Sequence, residues 1–121
     1  MSSAADRLES SQGRELSETY DMVIIGAGFS GLDMLRRARE QGLSVIVLEA
    51  GSDLGGTWYW NRYPGARTDS EAWYYCYSGD DELLKKWDWS ERYPGHSEMR
   101  NYFDVIAERY DVRRDVRFNS K

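Results

Sequence analysis

Residues 22–49 read MVIIGAGFSGLDMLRRAREQGLSVIVLE, and this stretch decides the fold. Met22, Val23, Ile24 and Ile25 form a short continuous apolar run stopped by Gly26. That is the pattern of a strand covered on both faces, as in parallel sheets. Leu32, Leu35 and Ala38 then recur at helical spacing while Asp33, Arg36, Arg37, Arg39 and Glu40 face elsewhere, and Gly42 stands where a helix ends. The spacing predicts a helix over 30–41. Val45, Ile46, Val47 and Leu48 repeat the buried-strand pattern with β-branched residues. Strand, helix and strand within about 30 residues make a right-handed crossover between parallel strands.

The loop inside this unit is GAGFSG, residues 26–31. Gly26 permits the tight turn, Gly28 lets the main chain approach a pyrophosphate, and Gly31 lets the helix pack against the strand. The helix N-terminus adds free amides and the positive end of a dipole. Glu49 ends the second strand about 20 residues on, where a carboxylate accepts hydrogen bonds from the ribose hydroxyls of an adenine dinucleotide. The same carboxylate repels a 2′-phosphate, so this first site suits FAD or NAD rather than NADP. The glycine loop does not separate those two.

Outward from this unit the chain changes character. Residues 1–19 are Ser, Glu, Arg and Gln with Leu8 and Leu16 as the sizeable apolar groups. They bury too little to offset ordering entropy and read as a disordered tail, with the dinucleotide domain over 20–121. Between Ala50 and Tyr77 no helical or alternating period persists, and a structureless loop that long in a compact domain either carries function or marks a misassigned element. Ser78 and Asp81 are candidate caps for a short helix holding Leu83, Leu84 and Trp87. A longer helix starts near Ser97, with Met99, Tyr102, Phe103, Ile106, Ala107 and Tyr110 as its core stripe. Val116 to Phe118 reads as a third strand.

Composition narrows the class. The chain has 121 residues, 40% of them hydrophobic, enough for one modest domain. Sixteen Lys and Arg against twenty-one Asp and Glu give a net charge of -5, which argues against nucleic acid and anionic membrane as partners. No apolar stretch approaches the roughly 20 residues that cross a bilayer, and a cytoplasmic protein is expected. Cys76 is the only cysteine, so no intrachain disulfide and no multi-cysteine metal site is expected, and Cys76 reads as a small buried hydrophobe. His96, the only histidine, reads as a surface or capping residue.

The stretch EAGSDLGGTWYWNRYPGARTD, residues 49–69, carries the next layer of specificity. Gly55 and Gly56 let the backbone pass close to a ligand, and Trp58, Tyr59, Trp60 and Tyr63 offer broad planar surfaces suited to a large flat ring system. Together with YYCYS at 74–78, this run resembles the N-terminal FAD-binding segment of the flavin-dependent Baeyer–Villiger monooxygenases, the group of the cyclohexanone, phenylacetone and steroid enzymes. The resemblance spans about Tyr20 to Phe118.

The resemblance implies an α/β, Rossmann-like FAD-binding half-domain whose parallel sheet runs 3-2-1 and is incomplete. It implies that Ser30 lies against the pyrophosphate and Glu49 against the adenine-side ribose. Gly26, Gly28, Gly31 and Gly56 shape the cofactor path, and Thr57, Trp58, Tyr59 and Trp60 line the flavin. Tyr75 is a further FAD contact, and Arg67, Thr68 and Asp69 form a loop that touches NADP. Asp69 is the catalytic candidate, the carboxylate that helps place an arginine and the nicotinamide. The activity implied is NADPH-dependent insertion of oxygen from dioxygen next to a ketone carbonyl, giving an ester or lactone. The NADP domain and the cationic catalyst lie outside this chain, so the chain alone is expected to be inactive. In the resembled fold a later strand pairs with the free edge of the first, and a complementary chain would cover that edge here. Two other readings stand beside this one: a non-catalytic module that binds FAD or an adenine dinucleotide, and a truncated remnant that binds nothing.

Overall fold

The computed structural model describes residues 18–121. The tail read at 1–19 lies outside the described residues except for its last two positions, where the Glu18 carboxylate accepts a hydrogen bond from Arg117 at 2.9 Å. Three strands, β1 (Met22–Ile25), β2 (Val45–Leu48) and β3 (Val116–Arg117), form one parallel sheet with β2 in the centre. Met22 pairs with Val45 and Ile25 with Leu48, while Val47 and Leu48 pair with Val116 and Arg117. The sheet is Rossmann-like, in the 3-2-1 order that the resemblance implies. Val45, Ile46 and Val47 are all buried, as a central strand covered on both faces requires. Among the described residues β1 is paired on one side only, and Val23 and Ile25 are 53% and 79% exposed.

Helix α1 (Phe29–Glu40) buries Gly31, Leu32, Leu35 and Ala38. Its end is fixed by Gly42 at φ +74°, whose amide bonds the Arg39 carbonyl while Leu43 bonds the Ala38 carbonyl. That double bond to the last turn is the Schellman stop, and a left-handed residue there favours glycine. The segment without a sequence period contains a single helical turn, α2 (Thr57–Trp60), and an antiparallel bridge from Arg67 to Gly95. Helix α3 (Asp81–Lys86) is capped by Asp80, which accepts from the Leu83 amide, rather than by Ser78 or Asp81. Asp80 lies three positions before that amide, the spacing an N-cap side chain needs.

Helix α4 (His96–Tyr110) buries Met99, Tyr102, Phe103, Ile106 and Ala107, the expected stripe. His96 is not the cap: Gly95 is the N-cap, the His96 amide donates to the Ala66 carbonyl at 2.9 Å, and the residue is half-buried, its Nε2 buried and without a hydrogen-bond partner among the described residues. Much of the aromatic load is core. Phe29 meets the rings of Tyr75, Tyr77, Tyr102 and Phe103 at 4.5 to 6.0 Å. Trp87 and Trp89 pack against Tyr102, and burial pushes the Tyr102 hydroxyl up to about 12. Cys76 is half-buried against this cluster, and that burial pushes its thiol up.

Candidate functional site

The carboxyl ends of β1 and β2 open on a cavity of about 480 Å³ bordered by Gly26, Ala27, Gly28, Glu49, Gly56 and Trp60. This is where open parallel sheets hold ligands. Gly26 turns the chain at φ +97°, a conformation that favours glycine, and its amide bonds the Leu48 carbonyl at 2.8 Å. The turn aims the Ala27 amide at Glu49 Oε1, 2.8 Å away, and the Gly51 amide reaches Oε2 at 2.6 Å. Glu49 is only 4% exposed, so its carboxylate ties the first two strand ends together. Each carboxylate oxygen has a second lone pair, which leaves room for a ribose hydroxyl.

Helix α1 starts at Gly28 with no side-chain cap and no acidic residue in its first turn. The amides of Phe29, Ser30 and Gly31 therefore have no carbonyl partner within the helix, and the positive end of the dipole is not neutralised. A Cβ on Gly31 would lie 1.9 Å from the Gly26 carbonyl oxygen, so the helix can press on the strand turn only without a side chain. Gly28 and Gly56 meet back to back: a Cβ on Gly56 would lie 3.0 Å from the Gly28 Cα. The Gly55 amide bonds the Ala27 carbonyl at 3.0 Å, so the second glycine pair forms a wall of the same cavity.

The structure distributes the remaining sequence-predicted residues over different surroundings. Trp58 is buried, and its indole donates to the Tyr75 hydroxyl at 3.2 Å. Tyr59 turns to Ser52, whose amide donates to its hydroxyl oxygen at 2.8 Å. Trp60 stands 59% exposed at the cavity, and Thr57 is exposed. Ser30 and Tyr75 border a neighbouring hollow of about 350 Å³ with Phe29 and Asp33. Arg67 pairs with Glu91 and the Tyr93 carbonyl and borders a third hollow of about 430 Å³. Thr68 is buried, its hydroxyl donating to the Ser70 carbonyl at 2.9 Å, and Asp69 is exposed. Gly26, Gly28, Glu49, Gly56 and Trp60 are thus brought together, and Arg67, Thr68 and Asp69 lie apart from them.

Sequence reasoning missed Ala27, which donates to Glu49, and Ser120 and Lys121, which complete the cavity rim. The Ser120 amide bonds the Glu49 carbonyl and the Asn119 amide bonds that of Gly51, both at 2.9 Å. The third strand was legible, and the residues just past the carboxyl end of a parallel strand were the signal for this rim.

Residues 24–87 match the NAD(P)-binding Rossmann-like domain. The chain belongs to that family. The Rossmann-like chain is 52% identical over 100 residues to the FAD-binding monooxygenase acrE of Aspergillus aculeatus, covering 83% of this chain and 17% of that protein. It is 43% identical over 115 residues to a Baeyer–Villiger monooxygenase of Pseudooceanicola batsensis, 94% of this chain and 21% of the other. A solved structure of oxidized steroid monooxygenase bound to NADP superposes with a TM-score of 0.83 at 50% identity, over 84% of this chain and 20% of that one. The match is to the N-terminal dinucleotide-binding part of the Baeyer–Villiger monooxygenases. The Rossmann-like chain spans about a fifth of the length of the curated relatives it matches.

Proposed function

We propose that this chain binds FAD as the dinucleotide-binding part of an NADPH-dependent Baeyer–Villiger monooxygenase. The observation that carries the reading is the buried Glu49 carboxylate at the floor of a cavity walled by two glycine loops. The residues fit the group: Gly28 and Gly56 leave a backbone-lined cradle, α1 offers uncapped amides to a pyrophosphate, and Glu49 offers free lone pairs to a ribose. Related proteins support the cofactor, since one carries FAD binding in its name and a solved neighbour holds NADP.

In this reading Glu49 accepts the adenine-side ribose hydroxyls, and Ser30 with the first turn of α1 holds the pyrophosphate. Trp60 and Thr57 face the flavin side, with Trp58 and Tyr75 forming the packed layer behind them. Bound flavin supplies hydride acceptance from NADPH and activation of dioxygen. Arg67, Thr68 and Asp69 form the loop toward NADP, and exposed Asp69 positions a cation and the nicotinamide brought by another domain. The substrate of the complete reaction is a ketone, its product an ester or lactone. The exposed β1 edge takes a further strand from a complementary segment or chain. Reliance on NADPH suits the cytoplasm.

The experiment is flavin content and flavin fluorescence of the purified chain after addition of FAD, with circular dichroism on the same sample. Near-stoichiometric, quenched flavin is expected. Colourless protein with intact circular dichroism would defeat FAD binding by this chain. Gly28→Val carries the same assignment to a residue: its branches would enter the cradle beside Gly56, and flavin retention is expected to vanish while helix content stays. Equal flavin in both proteins would refute the cradle.

A further inference from the structure

Tyr59 lies in sequence between buried Trp58 and cavity-facing Trp60, and its side chain serves a purpose different from either. The ring packs flat on Gly51, where an added Cβ would lie 2.3 Å from the ring carbon Cε1. Its hydroxyl oxygen accepts from the Ser52 amide at 2.8 Å and meets the Ser52 hydroxyl at 2.8 Å. Those donors favour the phenolate and lower the Tyr59 pKa. Two guanidinium groups hold the ring, Arg62 at 4.7 Å and Arg100 at 5.6 Å from its centroid. Arg100 also donates to Asp53 Oδ2 at 2.8 Å, and Arg113 and the Leu54 amide donate to Asp53 Oδ1 at 2.5 and 2.8 Å. The turn at 51–54 is thus gripped from α2, from α4 and from the 3-10 turn Arg113–Asp115. Its first residue, Gly51, donates to Glu49 Oε2.

We propose that Tyr59 is a positioning residue which clamps the 51–52 turn and, through the Gly51 amide, holds the Glu49 carboxylate in place for the adenosine end of the dinucleotide. The inference rests on the FAD reading above and assigns Tyr59 to the adenosine end rather than to the flavin. The physical basis is acceptor placement. A carboxylate whose two oxygens are set by two backbone amides is only as well oriented as those amides, and the Gly51 amide sits in a turn held by the Tyr59 hydroxyl at Ser52, by the arginines at Asp53 and by the Asn119 amide at the Gly51 carbonyl.

The test separates the clamp from general packing. In Tyr59→Phe, which keeps the ring and loses the hydroxyl, amide hydrogen exchange of the ligand-free chain is expected to quicken about tenfold at Ser52, Gly51 and Ala27, the loss of one hydrogen bond. Amides inside α1 and α4 are expected to keep their rates. Affinity for ADP and for FAD is expected to fall by the same factor, about tenfold, while FMN, which has no adenosine, binds as before. Unchanged exchange at Gly51 and Ala27, or a uniform rise over all helices, overturns the clamp; so does an equal loss for FMN. Should Tyr59→Phe not fold, Arg100→Gln removes the Asp53 and ring contacts from the far side, with the same pattern expected. Failure of the unsubstituted chain to bind FAD or ADP would count against the FAD reading, and the exchange rates would still decide the clamp.

Discussion

Gly28 and Gly31 stand three residues apart in one loop and answer to different constraints. An alanine methyl at Gly31 would sit 1.9 Å from the Gly26 carbonyl oxygen and 3.0 Å from its carbon, and backbone cannot swing aside as a flexible side chain can. Gly31→Ala is expected to cost about 3 kcal/mol in a urea titration. At Gly28 the same methyl meets the Gly56 Cα at 3.4 Å, an ordinary contact. Gly28→Ala is expected to fold within about 1 kcal/mol of the parent, and a loss as large as that of Gly31→Ala would contradict this geometry. Glu49 is the third decisive residue. Glu49→Gln replaces one acceptor oxygen by a donor that must face the Ala27 or the Gly51 amide, at a cost of about 1–3 kcal/mol. The same titration checks it, and wild-type stability in Glu49→Gln would mean that the two amide bonds are not formed.

At the scale of elements, β2 was readable because burial on both faces writes a strand as an unbroken apolar run, and α1 because Gly42 marks its stop; β1 carries the same run, but the expected cover on both faces is not found, since Val23 and Ile25 are exposed. The short helices were less legible. One turn of α2 leaves no period to detect, and the α3 cap is Asp80 rather than either of the two sequence candidates, Ser78 and Asp81. Asp80 gains that role because it also receives Arg109 at 2.6 and 2.8 Å and the Tyr110 hydroxyl. Arg109 first, then Tyr110 and the Leu83 amide, hold its carboxyl well below the usual carboxylate range against an opposing effect of burial. A depressed pKa contributes stability that is present above the unfolded value of about 3.9 and lost as pH falls through the folded value. Asp80→Asn is therefore expected to be the less stable protein near neutrality and to lose less stability than the parent between about pH 4 and pH 2. Parallel pH profiles in denaturant titrations would remove Asp80 from the acid response.

At the scale of the whole molecule, the sheet edge dominates. β1 exposes Val23 and Ile25 beside main-chain groups that have no strand partner among the described residues. An apolar open edge is a template for pairing with another chain. The purified chain is expected to associate with rising concentration, and Val23→Lys, placed outside the cofactor cavity, is expected to reduce that association in sedimentation velocity. A monomer at all concentrations, with a cooperative melt above about 60 °C, would show that the edge carries no such liability. Among the described residues no helix is long and apolar enough to cross a membrane.

The amino-acid sequence by itself determined the strand–helix–strand unit, the glycine turn at 26–31 and the placement of Glu49 at the strand end, because each depends on a local period or a fixed offset along the chain. Only the tertiary structure decided what the aromatic run does. Trp58, Tyr59 and Trp60 follow one another on a single helical turn and so point apart, one into the core, one onto the 51–52 turn and one to the cavity. Which direction is core depends on segments that arrive from far along the chain: Tyr75 receives the Trp58 indole, Arg100 grips Asp53 and Tyr59, and Arg113 reaches Asp53 from 60 residues away. Periodicity carries no information about such arrivals, since they are set by how the elements pack rather than by the residues between them.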